Sequence, residues 1–363
     1  KDMAGLLKPD AARLLVRELK VATGLPVHLH THDTSGISAA TLFAASEAGV
    51  DIVDTAMDAL SGTTSQPCLG SLVEAMKFSS RDTGLDSYAV REVSRYWQTV
   101  RSQYAAFETE NKAPASEVYL HEMPGGQFTN LQAQAASLGL LDRWAEIAEA
   151  YAQVNMMFGD IVKVTPSSKV VGDLALMMVS QGLSRKDVED PTKDIAFPAS
   201  TVSMLRGELG QTKGGWPKTL QKKALNGREP LTERPGARLE PANFAATGAA
   251  LANCDGARKP SDKETISATL YPETGGAYLA HLNQYGPVCA LPTPVFFYGM
   301  NPGESVSIEL EKGKTLEITL VSVSEQSEAG WRSVFFELNG QPRTIKVQED
   351  VAADASSSRP LAD

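Results

Sequence analysis

Val27-His28-Leu29-His30-Thr31-His32-Asp33-Thr34-Ser35-Gly36 carries three of the chain's five histidines within five residues. Val27, Leu29 and Thr31 are β-branched or apolar and alternate with the imidazoles. In an extended strand alternate side chains share one face. The three rings therefore line a single face and run toward the carboxyl end of the strand. Imidazole is a good ligand for zinc, manganese or cobalt. Three rings on one face with an aspartate behind them point to a metal site rather than to a run of core histidines.

The segments around this strand give its context. Residues 1–7 read as a strand, and Lys8-Pro9-Asp10 opens a helix, since proline suits the first helical turn. Residues 11–24 have helical apolar spacing and stop at Gly24. Residues 27–31 form the next strand, 37–48 the next helix and 51–57 a third strand, and a further helix starts at Leu69. This βαβαβα rhythm implies a parallel sheet. In such folds the working loops lie at the carboxyl ends of the strands, where His30 and His32 fall. A complete barrel of eight βα units needs roughly 250 residues. Three or four units are visible, so on the barrel reading the others precede Lys1. An open doubly wound sheet is the alternative that the rhythm leaves open.

Residues 88–205 turn helical, with apolar periodicity over 88–107, 138–158 and 171–181. Irregular pieces at Met123-Pro124-Gly125-Gly126 and Val164-Thr165-Pro166-Ser167-Ser168-Lys169 interrupt them. Residues 213–241, rich in Lys, Gly, Pro and Arg, read as an extended surface crossing. Residues 245–259 read as a small-residue helix and loop. From Pro294 the texture becomes β-rich, with runs at 295–298, 306–310, 315–321, 332–338 and 343–347. Asn339-Gly340 favours a tight hairpin. Residues 352–363, mostly Ala, Ser, Asp and Pro, read as a flexible linker to a following domain.

Composition sets outer bounds. The 363 residues carry a net charge of −10 and are 42% hydrophobic, which suits a globular protein of two or three domains. The acidic balance argues against a nucleic-acid partner. No apolar run approaches the ~20 residues needed to span a bilayer. Cys68, Cys254 and Cys289 are far apart, and free thiols in a reducing compartment account for them. The opening Lys1-Asp2-Met3 shows no signal or transit pattern and reads as the interior of a longer protein.

Other residues bear on chemistry. Lys1 lies on the strand before the histidines. An ammonium directed into a barrel is costly unless paired or neutralised. Reaction of the neutral amine with carbon dioxide would give an anionic carbamate ligand; a surface lysine is the simpler reading from composition. Asp51, Asp54 and Asp58 lie on or beside the third strand. Asp51 opens it, as a solvated charge or a secondary cation site. Ala75-Met76-Lys77-Phe78 superficially matches a biotin-attachment sequence, but it ends an apolar helical run and not a hairpin tip.

Lys1-Asp2-Met3-Ala4-Gly5-Leu6-Leu7-Lys8-Pro9, His28-Leu29-His30-Thr31-His32-Asp33-Thr34-Ser35-Gly36 and Ser61-Gly62-Thr63-Thr64-Ser65-Gln66-Pro67 together resemble the carboxyltransferase barrel of biotin-dependent, pyruvate-binding enzymes. That group includes pyruvate carboxylase, the oxaloacetate decarboxylase alpha subunit and transcarboxylase. His121-Glu122-Met123-Pro124-Gly125-Gly126-Gln127-Phe128-Thr129-Asn130-Leu131, residues 164–174 and the run from Leu291 look most like pyruvate carboxylase. Lys169 stands where the decarboxylases and transcarboxylase usually have glutamine.

The resemblance implies an α/β fold: the C-terminal part of a TIM-type (β/α)8 barrel, then a helical funnel subdomain and a small antiparallel β module. The implied divisions are 1–80 for the later barrel units and 81–283 for the helical subdomain with its crossings. They continue with 284–351 for a tetramerisation or allosteric domain and 352–363 for a linker. The implied metal ligands are an N-carboxylated Lys1, His30 and His32, with His28 deeper in the core. A fourth, an aspartate on the first barrel strand, is not in this chain, and neither are the early-strand arginine and glutamine that bind substrate. Thr165 matches the proton shuttle between pyruvate and biotin, and Ser168 and Lys169 match residues that contact the biotin ring.

The implied activity is transfer of CO2 from carboxybiotin to a metal-bound pyruvate enolate, giving oxaloacetate. Its cofactors are biotin on a carrier domain outside this chain and a divalent metal, Zn, Mn or Co. ATP, Mg and bicarbonate serve a further domain. The implied assembly is a homotetramer with acetyl-CoA as effector, in the bacterial cytoplasm or the mitochondrial matrix. Two other readings of the site are a decarboxylase or transcarboxylase subunit and a metal-dependent aldolase or lyase of the same barrel class. A non-enzymatic scaffold would explain the β module but not Lys1, His30 and His32.

Overall fold

The computed structural model describes residues 1–108, 111–252, 259–327 and 330–348. Two compact units divide it, Lys1–Leu239 and the part that begins at Glu240.

The first unit opens with alternating helices and extended segments. Helix α1 (Pro9–Thr23) starts on a proline and ends on Gly24, whose φ of 65° closes the last turn. Strand β1 (His28–Leu29) pairs in parallel with β2 (Ile52–Val53), and α2 (Ser38–Glu47) lies between them in sequence. The sheet is thinner than the sequence rhythm predicts. Residues 1–7 form only a single parallel bridge, Asp2 with Thr31, and a second bridge joins Ala56 to Cys68. All the pairings are nonetheless parallel and sequential, so segments 1–5, 28–32, 52–56 and 67–68 lie side by side. Helix α3 (Leu69–Met76) completes this part. Ala12, Val16, Leu29, Leu42, Val50 and Leu72 form its core. Here the arc of strand ends brings the histidine segment beside residues 1–5 and 54.

Seven helices come next along the chain: α4 (Ser87–Ser102), α5 (Val118–His121), α6 (Gly125–Ser137), α7 (Trp144–Met157), α8 (Ser167–Gln181), α9 (Arg185–Glu189) and α10 (Ala199–Arg206). Helix α8 begins four residues before the apolar run that marks it in the sequence. The larger core lies among α6, α7, α8 and α10, with Leu131, Tyr151, Phe158, Leu174 and Leu205 at its centre. Gly172 lets α6 approach α8, because a Cβ there would meet Gln127 Nε2 at 2.5 Å.

One expectation is overturned here. Residues 213–241 are not simply an extended crossing, because they contain α11 (Lys218–Leu225), which buries Leu220, Ala224 and Leu225 while Trp216 enters the core. The helix is short and amphipathic, and its three lysines mask the apolar stripe when the segment is read by composition.

The second unit carries α12 (Phe244–Ala252), α13 (Asp262–Leu270), α14 (Pro272–Tyr285) and α15 (Thr293–Tyr298). Residues 295–298 are thus helical and not a strand. A short apolar run does not distinguish the two states, and Pro294 within the first turn suits a helix. Four antiparallel strands complete the unit in sequential order: β3 (Ser305–Glu311), β4 (Lys314–Val323), β5 (Trp331–Leu338) and β6 (Gln341–Gln348). Asn339 and Gly340, with φ of 50° and 75°, make the two-residue turn between β5 and β6. Cys254 and the proposed linker 352–363 lie outside the described residues, as do the last residues of the β module. Among the described residues no helix is long and apolar enough to cross a membrane.

Candidate active site

His30 and His32 meet edge to face, with their Nε2 atoms 3.3 Å apart. Each ring is fixed from behind. His32 Nδ1 lies 2.6 Å from the Thr64 carbonyl, and His30 Nδ1 lies 2.7 Å from Asp54 Oδ2. A carbonyl and a carboxylate only accept, so both Nδ1 atoms carry the proton. A neutral ring protonated on Nδ1 leaves its Nε2 as a lone pair, and the two Nε2 atoms face each other across 3.3 Å. Such a pair calls for a cation. Two nitrogens about 2.0–2.1 Å from one tetrahedral ion would themselves lie about 3.4 Å apart. The donor set therefore fits two ligands of a divalent metal, each with the outer partner that metal-binding histidines usually have.

Local chain geometry produces these supports. The Ser61–Gln66 loop closes on itself through Gly62 N–H to Gln66 O and Ser65 N–H to Gly62 O, both at 2.9 Å, and it turns at Thr63 with φ 48°. The loop thereby aims the Thr64 carbonyl at His32, while Ser65 O takes the Asp33 N–H at 2.8 Å. Burial lowers the His32 pKa and outweighs the Thr64 hydrogen bond, so the ring is kept neutral, as a ligand must be. The Asp54 carboxyl lies below the ordinary range. Burial alone would raise it, and the hydrogen bonds from His28 and His30 prevail.

Lys1 is exposed at the chain's start. Asp2 bridges Thr31 in parallel, so Lys1 registers beside His30 on the histidine face. Asp2 turns to the opposite face, where it takes N–H groups from Leu6 and Leu7 and the Thr31 hydroxyl at 2.9–3.0 Å. Asp51 is already engaged. Lys20 Nζ lies 2.8 Å from both carboxylate oxygens, and Val27 N–H donates at 2.7 Å. His28 is exposed and bonded to Asp54 Oδ1 at 2.7 Å, so it is not a core residue. Among the described residues no group of three or more His, Cys, Asp and Glu side chains is assembled to hold a metal.

Thr165, Ser168 and Lys169 gather at the start of α8. Thr165 is exposed, and Ser168 is buried. The Ser167 hydroxyl donates to the Val162 and Val164 carbonyls at 2.9 and 2.7 Å, which ties the preceding loop. Lys169 Nζ rests 2.7 Å from Asp173 Oδ2, which also accepts from Ser200. This cluster and the histidine pair are tied together by residues 122–125. Glu122 holds Lys163 at 2.8 Å, two residues before Thr165. Gly125 donates its N–H to the Met3 carbonyl at 2.9 Å and lies so close to His32 that a Cβ there would stand 2.5 Å from Nδ1.

His121, in the same motif, is buried and accepts the Met123 N–H on Nδ1 at 3.0 Å. Desolvation lowers its pKa from 6.5 to about 4. The unfolded chain therefore takes up a proton that the folded chain refuses. The stabilisation is complete above about pH 6.5 and is lost as pH falls toward 4. Between pH 7.5 and 5 the unfolding free energy should drop by about 2 kcal/mol from this group. Denaturant titration should show that increment reduced in His121→Gln.

Asp54, Thr64 and Gly125 adjoin the histidine pair, yet in the sequence Asp54 reads only as a carboxylate beside the third strand and the other two only as parts of motifs, with no part in the candidate site. The parallel register His28 with Ile52 and Leu29 with Val53 sets residue 54 opposite residue 30, which is the signal that could have found Asp54. The Thr64 contact is made by a backbone carbonyl and leaves no side-chain signature.

Comparison with known proteins adds to this geometry. Residues 118–319 match the family described as "Conserved carboxylase domain", and residues 1–96 match the family described as "HMGL-like". The chain is 47% identical over 363 residues to pyruvate carboxylase of Bacillus subtilis (strain 168), covering 100% of this chain and 32% of that protein. It is 42% identical over 365 residues to mitochondrial pyruvate carboxylase of Mus musculus, covering 100% of this chain and 31% of the relative. The chain thus spans about a third of the length of the curated relatives it matches. The solved carboxyl transferase domain from Rhizobium etli pyruvate carboxylase with pyruvate and biocytin superimposes with a TM-score of 0.91 at 59% identity, covering 96% of this chain and 58% of that one. The fold class is accordingly that of the carboxyltransferase barrel, with helices and a four-stranded antiparallel sheet after it.

Proposed function

Since the chain belongs to the conserved carboxylase domain family, we propose that it is the carboxyltransferase part of a biotin-dependent pyruvate carboxylase, which carboxylates pyruvate to oxaloacetate. The observation that carries this reading is the 0.91 superposition, at 59% identity, on a carboxyl transferase domain solved with pyruvate and biocytin. The match to the family described as HMGL-like ends at residue 96, so it offers the lyase reading no account of Thr165.

His30 and His32 supply two neutral nitrogens to a divalent metal, zinc, manganese or cobalt, and an N-carboxylated Lys1 on the same face supplies an oxygen. When bound, that ion lends Lewis acidity to the keto oxygen of pyruvate and to the charge that develops there. Thr165 Oγ1 moves a proton between the pyruvate methyl group and the biotin ring. A hydroxyl both donates and accepts, so it relays without holding charge. Ser168 and Lys169, on the first turn of α8, contact the biotin ring; the exposed Lys169 leaves a half-buried Asp173 to do so, and Ser200 stays behind as a donor to that carboxylate. Asp51, with its oxygens engaged by Lys20 and Val27, serves structure in this state, and a cation there would take the place of the Lys20 ammonium.

In this reading residues 1–80 are later barrel units and 81–283 the helical subdomain, whose last part lies in the second compact unit. Residues 284–351 form the tetramerisation or allosteric module of a homotetramer with acetyl-CoA as effector, and 352–363 form the linker to a further domain. Biotin rides on a carrier domain, ATP, Mg and bicarbonate serve another domain, and the compartment is bacterial cytoplasm or mitochondrial matrix. The test is oxaloacetate formation by the intact protein from pyruvate, bicarbonate and ATP, monitored by coupled NADH oxidation. Avidin-sensitive product is the expected result, and absence of oxaloacetate with active ATP turnover would overturn the assignment.

A further inference from the structure

We infer that Asp54 is a positioning residue that holds the histidine pair open to metal by fixing the tautomer of His30, with His28 as its anchor. The inference rests on the metal reading of His30 and His32. The parallel register places position 54 opposite position 30, and Asp54 N–H donates to the Leu29 carbonyl at 3.2 Å, which fixes the backbone there. The carboxylate then divides its oxygens. Oδ1 accepts from His28 Nε2 and Oδ2 from His30 Nδ1, each at 2.7 Å.

The division matters because a neutral imidazole has two forms. With the proton on Nδ1, His30 gives that proton to Asp54 and leaves Nε2 as a lone pair facing His32. With the proton on Nε2, His30 would donate to His32 Nε2 across 3.3 Å, a satisfactory hydrogen bond. The two rings would then satisfy each other, and neither nitrogen would be open to a metal. His32 cannot prevent this. Its Nδ1 proton is committed to the Thr64 carbonyl, so its Nε2 is always an acceptor. The choice between a closed histidine pair and an open two-nitrogen site falls to the group behind His30, and that group is Asp54. His28 takes the other carboxylate oxygen from the solvent side and so fixes the carboxylate plane. This gives the exposed first histidine of the triplet a role without making it a ligand.

The intact protein, stripped of metal and titrated with Zn2+ and then Co2+, separates the possibilities. Wild type, His30→Ala, Asp54→Asn and Asp54→Glu would be compared for metal affinity, for the cobalt visible spectrum and for thermal unfolding. Asp54→Asn should bind Zn2+ 10–100-fold more weakly, the usual cost of losing an outer partner, with an altered cobalt spectrum. Asp54→Glu, which restores a carboxylate, should recover part of the affinity. If His30→Ala binds Zn2+ as wild type does, the metal reading itself fails and this inference with it. If His30→Ala loses metal while Asp54→Asn keeps wild-type affinity and spectrum, the metal reading stands and the role of Asp54 is refuted. If Asp54→Asn does not fold, Asp54→Glu decides: wild-type folding with partial metal affinity supports the role, and wild-type folding with no metal affinity contradicts it.

Discussion

Thr165→Ala should lower pyruvate carboxylation by the intact protein about 10²–10⁴-fold, the usual range for a positioned acid–base group, while ATP-dependent carboxylation of biotin continues. The split is expected because Thr165 is exposed at the head of α8, and its hydroxyl makes no hydrogen bond among the described residues. Alanine there removes no buried contact. The loop is held instead by Ser167, whose hydroxyl bonds the carbonyls of Val162 and Val164. Thr165→Ser keeps the hydroxyl and should retain a substantial part of the activity. Product assays on the three proteins, with biotin carboxylation measured separately through ATP cleavage, check the claim. An alanine variant that still forms oxaloacetate at the normal rate would remove Thr165 from the mechanism.

His32→Ala should leave the protein without tightly bound divalent metal. Losing an outer partner alone costs 10–100-fold in metal affinity, so losing the ligand itself should cost more than about 100-fold. The effect should exceed that of changes nearer the surface, because His32 is buried and its Nε2 has no other task than to face His30. Elemental analysis of the purified protein after dialysis against a chelator is the direct measurement. Metal content equal to wild type would place the ion elsewhere.

Much of this site is legible in the sequence because it is local. His30 and His32 share a face by the period of a strand, and Ser168 and Lys169, on the first turn of α8, fall within a few residues of Thr165 in the turn before it. What is not legible depends on register. Asp54 matters through a parallel alignment that places residue 30 beside residue 54, and Thr64 through a carbonyl that any residue type could present. The same limit applies to the fold. The alternation of helix and strand in the first eighty residues is set by periodicity, yet the extended segments shrink to two-residue strands and single bridges, because periodicity marks which segments are extended but not how far each pairs with its neighbour. Helix α11 is hidden by its lysines, and α15 by an apolar run that serves either state. His28 is misjudged as core because alternation gives the face of a strand but not how deeply each position on it is covered.

The crowding around His32 has a kinetic meaning. Its ring is bounded by Thr64 and Gly125, and Gly125 is pinned to Met3, so partners from three other parts of the chain must arrive before the imidazole is fixed. Closing loops of about thirty, sixty and one hundred residues costs entropy that no single contact repays. Contacts so distant in sequence form late. The pair of nitrogens is therefore set only where these distant segments have closed on one another. On the proposed metal reading, a partly folded chain would have the histidines without the site, and metal uptake would report closure of the whole region from Met3 to Gly125.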